Sequence, residues 1–457
     1  RSMLTILIVL ATIFFSLRFK RRKASTVAFF HPYCNAGGGG ERVLWCAIRA
    51  MQARWPSLSY VVFSGDIDAT KEQILLRAKQ RFGIELDPAN IDFIFLRCRR
   101  LVEASLYPRF TMLLQTIAGG ILAFEAFLRL APSVFIDSMG YPLSLPIFRW
   151  LAGSRVLAYV HYPTISCDMV DVVARRESTF NNADSIAKNA FLSQAKLFYY
   201  KAFAMAYSAA GKAAHSVMVN GSWTQSHISH LWGSCQVVFP PCDIDAFLAL
   251  PNHAEQRLSS EGVVSLLSIG QIRPEKNHAL QIRILRAVID RLHENGVEYK
   301  VKLTIAGGCR HAEDEARVEQ LRELAKELAV EQHIHWLLNV PYEDLMQELS
   351  ESMISLHTMR DEHFGISVVE GMAAGTITVA HNSAGPKMDI ITATEKGEAT
   401  GFLADSENGY AKVIEKIIGM KPAEREKIRE RARASSKRFS ETNFEKSWLL
   451  TVEPFVS

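Results

Sequence analysis

Short runs of β-branched and aromatic residues recur along this chain, each followed by a polar or glycine-containing loop and usually by a stretch with helical character. In the first half the runs are Thr26–Phe30, Tyr60–Phe63, Ile91–Leu96, Val134–Ile136, Val156–Val160 and Val217–Val219. In the second half they are Val263–Ile269, Val301–Ala306, Ile334–Leu337, Ile354–Leu356 and Thr376–Ala380. Strands alternating with helices are the pattern of an α/β protein with doubly wound parallel sheets. At 457 residues the chain is too long for one typical core, and two domains of roughly 200 residues each are expected. Pro240-Pro241-Cys242-Asp243 is a stiff, turn-rich junction and residues 252–262 are polar and strand-free, which places the boundary near 240–260.

Chemistry is expected in the loops that leave the strands. Glu362 and Glu370 are separated by seven residues, and the segment between them runs from a loop through Gly365 into a helix beginning near Ile366. A helix start offers unpaired N–H groups and the positive end of a dipole, which suits a diphosphate. Eight helical positions are a little over two turns, so Glu370 shares roughly the face of the helix mouth. The small run Ala373-Ala374-Gly375 and a strand then follow.

Gly37-Gly38-Gly39-Gly40, after one strand and before the helical stretch from Glu41, is a second phosphate-cradling arrangement, because glycines let a backbone approach closely. Its spacing matches neither the dinucleotide fingerprint nor the lysine-bearing phosphate loop. Arg273 and Lys276 follow the run Val263–Ile269 and are expected at the start of another helix, a third anion site. His161 closes the run Val156–Val160, where open α/β sheets place ligands. A lone histidine there is more often a packed or capping residue.

The stretches Glu362–Gly375, His31–Val43, Tyr159–Thr164 and Ile269–His278 together resemble a family of glycosyltransferases. The Glu-x7-Glu stretch looks like that of the retaining nucleotide-sugar glycosyltransferases with the GT-B fold. The stretch from His31 narrows this to the eukaryotic dolichol-linked α-1,2-mannosyltransferases of the N-glycosylation pathway. The resemblance runs from about Thr26 to about Phe439 and implies two Rossmann-like domains facing a cleft, plus an N-terminal membrane anchor helix. It divides the chain into an anchor with basic stop (1–24), an acceptor-binding domain (25–250), a nucleotide-sugar-binding domain (251–435) and a C-terminal helix crossing back to the first domain (436–457).

The implied reaction adds the fourth and fifth mannoses from GDP-mannose to a dolichol-diphosphate oligosaccharide at the cytosolic face of the endoplasmic reticulum. In that scheme His161 hydrogen-bonds the transferred sugar from within the cleft. Glu362 lies near the sugar with the backbone of Phe364, Gly365, Ile366 and Ser367, and Glu370 takes the ribose hydroxyls. Lys276 and Arg273 neutralise the leaving diphosphate, an electrostatic stabilisation of the transition state. Gly38 and Gly39 face the donor diphosphate within an acceptor and phosphate loop, Gly37–Gly40. Trp336–Asn339 stand where relatives hold the base. Many relatives carry the arginine five residues before the lysine, where this chain has Gln271. His161, Glu362 and Lys276 are thus the implied catalytic residues, with a same-face mechanism and with other mannosyltransferases of the pathway as possible partners. The alternatives are a GT-B transferase with another donor or lipid acceptor, and a non-catalytic scaffold of a mannosyltransferase assembly.

Composition narrows the partners. A net charge of +4 without a basic stripe interleaved with aromatics argues against nucleic acid. Seven cysteines are scattered without CxxC pairs, which is neither a zinc site nor a disulfide framework and fits a reducing compartment. No metal or cofactor is expected. Asp66-Ile-Asp68 and Asp243-Ile-Asp245 fall in turns, where short acidic pairs arise from local hydrogen bonding. Met3–Leu17 is apolar apart from Thr5, Thr12 and Ser16, and basic residues from Arg18 to Lys23 follow it. Charges after the run rather than before it point to an anchor with the catalytic body in the cytosol, although fifteen helical residues span only about 22 Å. On that topology the Asn220-Gly-Ser222 sequon is irrelevant. A second apolar stretch, Phe110–Leu130, reads as broken by Gly119-Gly120 and as either a buried helix or a surface that dips into a membrane. Arg97, Arg99, Arg100 and Arg109 precede it.

Overall fold

A computed structural model describes residues 22–165, 169 and 190–456. The apolar run Met3–Leu17 and the basic residues up to Arg21 lie outside the described residues. The chain divides into two compact units, one running to Pro241 and including the C-terminal residues from Phe444, the other Cys242–Asn443.

The first unit is built on a seven-stranded, wholly parallel sheet of β1 (Arg22–Phe30), β2 (Ser59–Ser64), β3 (Ile91–Phe95), β4 (Ala131–Asp137), β5 (Arg155–Val160), β6 (Ser216–Val219) and β7 (Gln236–Val237). The spatial order is β3-β2-β1-β4-β5-β6-β7. Successive side chains of β1 enter opposite cores: Val27 and Phe29 one, Ala28 and Phe30 the other. A strand covered on both faces must be apolar at every position, and this is why the runs were legible. Trp448, on the C-terminal helix Glu441–Val456, stacks on Phe29 at 6.3 Å and closes one of these cores.

The second unit carries β8 (Val263–Ile269), β9 (Lys300–Gly307), β10 (Ile334–Leu338), β11 (Ile354–His357), β12 (Ile377–His381) and β13 (Phe402–Ala404), again all parallel, in the order β10-β9-β8-β11-β12-β13. This is the doubly wound order. Every expected run is a strand in the structure. The short strands β7 and β13 lacked a readable run. In each sheet the order reverses once, between β1 and β4 and between β8 and β11. Connections leave in opposite directions at such a point and open a crevice beyond the strand ends.

Three expectations change. The strand expected from Thr26 starts at Arg22, with Arg22 and Lys23 paired to Ala131 and Pro132 before the register shifts ahead of Val27. Ser25, at a positive φ of 58°, marks that irregularity, so the last two residues of the basic cluster belong to the sheet.

Thr111–Arg129 is one continuous helix, not two halves broken at Gly119-Gly120. Both glycines are buried, and a Cβ on Gly119 would stand 2.7 Å from Tyr141 Cδ1, so they permit close packing of the 141–143 segment. Two glycines cost a helix about 2 kcal/mol in propensity, which tertiary packing overrides. Among the described residues this is the helix long and apolar enough to cross a membrane, though one face is core. Its other face exposes Leu113, Ile117, Ile121 and Phe124.

Asn220, just after β6, is 6% exposed. The folded chain cannot present it as a glycan acceptor, so a bare Asn220 reports burial and carries no information on membrane topology.

Candidate active site

The reversal point of the first sheet gathers the ends of β1, β4 and β5. His31 follows β1, and its Nδ1 lies 2.9 Å from Ser138 Oγ; the Ser138 carbonyl lies 3.1 Å from His161 Nε2. Burial, with the neighbouring His161 charge, lowers the pKa of His31 to about 3, so the ring is neutral. Asp137 ends β4 and accepts from the N–H groups of Met139, Gly140 and Tyr141 and from the Ser144 hydroxyl. Burial pushes its carboxyl up to about 6 against those bonds.

The glycine loop enters the helix Gly39–Arg54 at the same end of the sheet. A Cβ on Gly40 would lie 3.4 Å from His161 Nε2, so the loop and the histidine are neighbours. Gly37 sits at φ 84°, a region that favours glycine. Glu41 reaches back to accept from the Gly38 N–H at 2.5 Å and is further stabilised by the Gly37 and Ala36 amides. Its carboxyl is pushed up by burial and drawn down by those backbone bonds. The expected phosphate cradle of four glycines narrows accordingly. Ala36–Gly38 serve the chain's own carboxylate, while the N–H groups of Gly39 and Gly40 have no partner among the described residues.

In the second unit, the segment after β8 and the loop after β11 meet at the reversal point. Thr358 Oγ1 donates to the Lys276 carbonyl at 2.9 Å and accepts from Gln281 Nε2 at 2.9 Å, which fixes one segment on the other. Lys276 Nζ lies 2.5 Å from Glu362 Oε2, and His357 Nε2 lies 3.2 Å from the same oxygen. Burial alone would raise the Glu362 carboxyl; the His357 hydrogen bond and the Lys276 charge outweigh it and hold it well below the usual carboxylate range. Glu362 is therefore an anion at any working pH.

The backbone here is equally constrained. The Gly385 N–H donates to the Glu362 carbonyl at 2.9 Å, and a Cβ on Gly385 would come within 2.4 Å of the Phe364 carbonyl oxygen. Gly365, at φ 111°, turns the chain into the helix Ile366–Ala374, while Phe364 is buried against Phe439. Val368 and Val369 donate to the Gly365 carbonyl, whereas the N–H groups of Ile366 and Ser367 have no partner among the described residues. Glu370 is half-buried on this helix, one turn beyond Ile366. The unit thus presents two amides without a partner among the described residues, a lysine and a glutamate at one strand-end loop, with Glu370 one turn into the helix that follows.

Other expected residues stand elsewhere. Arg273 and Lys276 do not open an α-helix: Pro274–Lys276 is a single 3-10 turn, and Asn277 at φ 52° separates it from the helix His278–Glu294. Arg273 is exposed and its charge acts on Asp314, not on Glu362. Asn339 is occupied in holding both polar backbone groups of Cys309, and Trp336 carries the Arg322 guanidinium over its ring. Asp66 is buried, ion-paired with Arg99 and bonded by the Asn35 N–H. Among the described residues no group of three or more His, Cys, Asp or Glu side chains is gathered as a metal ion would need. His357 ends β11 one residue beyond the apolar run Ile354–Leu356, and a histidine at that position carries no signal of its own in the sequence.

The two parallel-sheet Rossmann-like units have the GT-B fold, and the family model matched by the second of them is one of glycosyltransferases. The crystal structure of Anabaena Alr3699/HepE in complex with UDP and glucose is similar to 94% of this chain and 99% of its own, with a TM-score of 0.61 at 14% identity, a likeness of fold. The family model "Glycosyl transferases group 1" matches residues 251–435, and "ALG11 mannosyltransferase N-terminus" matches residues 24–232. The chain is 57% identical over 435 residues to the Caenorhabditis elegans GDP-Man:Man(3)GlcNAc(2)-PP-Dol alpha-1,2-mannosyltransferase, covering 95% of this chain and 92% of the relative. It is 50% identical over 430 residues to the Homo sapiens protein of the same name, covering 93% and 86%. The chain belongs to the ALG11 mannosyltransferase family.

His31 sets a pH dependence of stability. Its ring takes a proton near 6.5 in the unfolded chain and only near 3 in the folded one. Between those values the unfolded state binds more protons, so stability falls as pH drops from 6.5 towards 3. Asp137, raised from 3.8 to about 6, acts with the opposite sign between those two values and offsets part of the slope. His31→Asn is expected to flatten the fall in Tm between pH 6.5 and 5; a variant that loses Tm as steeply as the parent in this window refutes the assignment.

Proposed function

We propose that this chain transfers mannose from GDP-mannose, with retention and in α-1,2 linkage, to a dolichol-diphosphate oligosaccharide, supplying its fourth and fifth mannoses. The names of the relatives support donor, linkage and acceptor. The observation that carries the site assignment is the Lys276–Glu362 pair beside the free amides of Ile366 and Ser367. An arriving diphosphate offers Lys276 a second anion, and the helix start supplies N–H donors and the positive dipole end for it. Glu362 then meets the sugar and Glu370 the ribose. In the first unit, the amides of Gly39 and Gly40 beside His161 are suited to phosphate and sugar oxygens. The diphosphate oxygen accepts the acceptor's proton as the glycosidic bond breaks, with no metal ion taking part. The protein works at the endoplasmic reticulum membrane with its catalytic body in the cytosol, supported by the basic residues that follow Met3–Leu17.

Lys276→Ala is expected to weaken GDP-mannose binding and slow transfer by roughly ten- to a hundredfold, the size of one charge-assisted contact. Glu370→Ala should chiefly raise the donor KM, since ribose is held alike in ground and transition states. Transfer by Lys276→Ala at the parent rate removes the phosphate assignment, and a pure kcat effect at Glu370 removes the ribose assignment.

Activity should persist in EDTA. Loss to the chelator with recovery on manganese overturns the metal-free mechanism. A protease added to sealed microsomes should digest the body, and protection of the body would place it on the lumenal side.

A further inference from the structure

The Glu362 carboxylate is held on one side. Oε2 accepts from both Lys276 and His357, while Oε1 accepts no hydrogen bond among the described residues. The two donors differ in how firmly they are fixed. Lys276 reaches over from the short turn Pro274–Lys276, on a flexible stem with a side chain 24% exposed. His357 is 7% exposed and ends β11, a strand paired on both sides with β8 and β12. Its carbonyl is held by the Tyr410 hydroxyl at 2.9 Å. Its Nδ1 is buried without a partner among the described residues, so the ring's hydrogen bond there is the one from Nε2 to Glu362. An ionised carboxylate can only accept, so Nε2 carries the hydrogen.

A lysine ammonium is a mobile point charge that moves readily to a phosphate. Once it does, a carboxylate with no second partner is free to change rotamer. We propose that His357 is a positioning residue of the transfer reaction: its Nε2–H keeps Glu362 Oε2 in place while Lys276 serves the diphosphate, so that Oε1 is presented to a hydroxyl of the transferred sugar. The inference rests on the reading of Glu362 as the sugar contact and Lys276 as the diphosphate contact. It adds a residue that touches neither ligand and a division of work between two donors on one oxygen.

Two variants of nearly equal size and polarity separate positioning from packing. In His357→Gln the side-chain amide reaches about where Nε2 stands, and in His357→Asn about where Nδ1 stands. Affinity for GDP, which lacks the sugar, reports whether the second unit keeps its structure and should match the parent in both. His357→Gln is expected to keep kcat within about threefold of the parent, and His357→Asn to lose about ten- to a hundredfold with little change in donor KM. In a Glu362→Ala background, His357→Asn should cost less than about threefold more, because the two residues act as one unit. Equal activity of the Gln and Asn variants, whether high or low, overturns the proposal. So does a loss that multiplies with that of Glu362→Ala, or a parallel fall in GDP affinity. Glu362→Ala transferring at the parent rate removes the underlying reading and this inference with it. Strong dependence on Glu362 with indifference at His357 removes the inference alone.

Discussion

Partial burial of the Glu362 carboxylate constrains the loops around it. Taking an anion out of water is unfavourable by several kcal/mol unless partners replace the lost hydration. Here the partners are Lys276, from the loop after β8, and His357, from the end of β11. The strands must therefore be neighbours, and the parallel pairing of β11 with β8 makes them so. Thr358 then ties the backbone under Lys276 to the same strand end. Losing either donor leaves the carboxylate less well compensated, while the backbone tie through Thr358 still holds the two segments together.

The first unit uses a related device. Four consecutive glycines would be floppy if left alone, since each glycine gives up more backbone entropy on ordering than any other residue. The Glu41 carboxylate organises them by accepting from the amides at the loop's start. The loop is thus already shaped by an anion of the chain, and the two amides left over, at Gly39 and Gly40, lie beside His161. In both units an internal carboxylate holds polar groups in position and leaves a small remainder free for a ligand.

Glycines in this chain serve opposite purposes. Gly365 at φ 111° permits a turn that a side chain would strain, and Gly385 permits an approach of the backbone at Phe364 that a Cβ would block. Gly119 and Gly120 lie instead inside a regular helix and serve only to let Tyr141 and Leu143 come close. From the sequence both uses look like interruptions. Whether a glycine breaks an element or tightens its packing depends on what lies opposite, and at Gly119 that neighbour is more than twenty residues away.

The strand runs, the helix starting at Ile366 and the glycine loop were readable in the sequence, because each is dictated by short-range physics. A strand buried on both faces must be apolar throughout, and a helix mouth after a glycine announces itself within a few residues. Residue types also pointed to anion-binding loops, and the sugar chemistry followed from the resemblance to glycosyltransferases. What the sequence could not contain is the partner list. Glu362 meets Lys276 across 86 positions, and His357 gains its role only because Glu362 folds back over it. Glu41 turning inward, Arg273 standing apart and Asn339 being committed to Cys309 are likewise settled by which loops pack together. Hydrogen bonds and ion pairs act over a few ångströms, so their choice of partner is fixed by the tertiary structure.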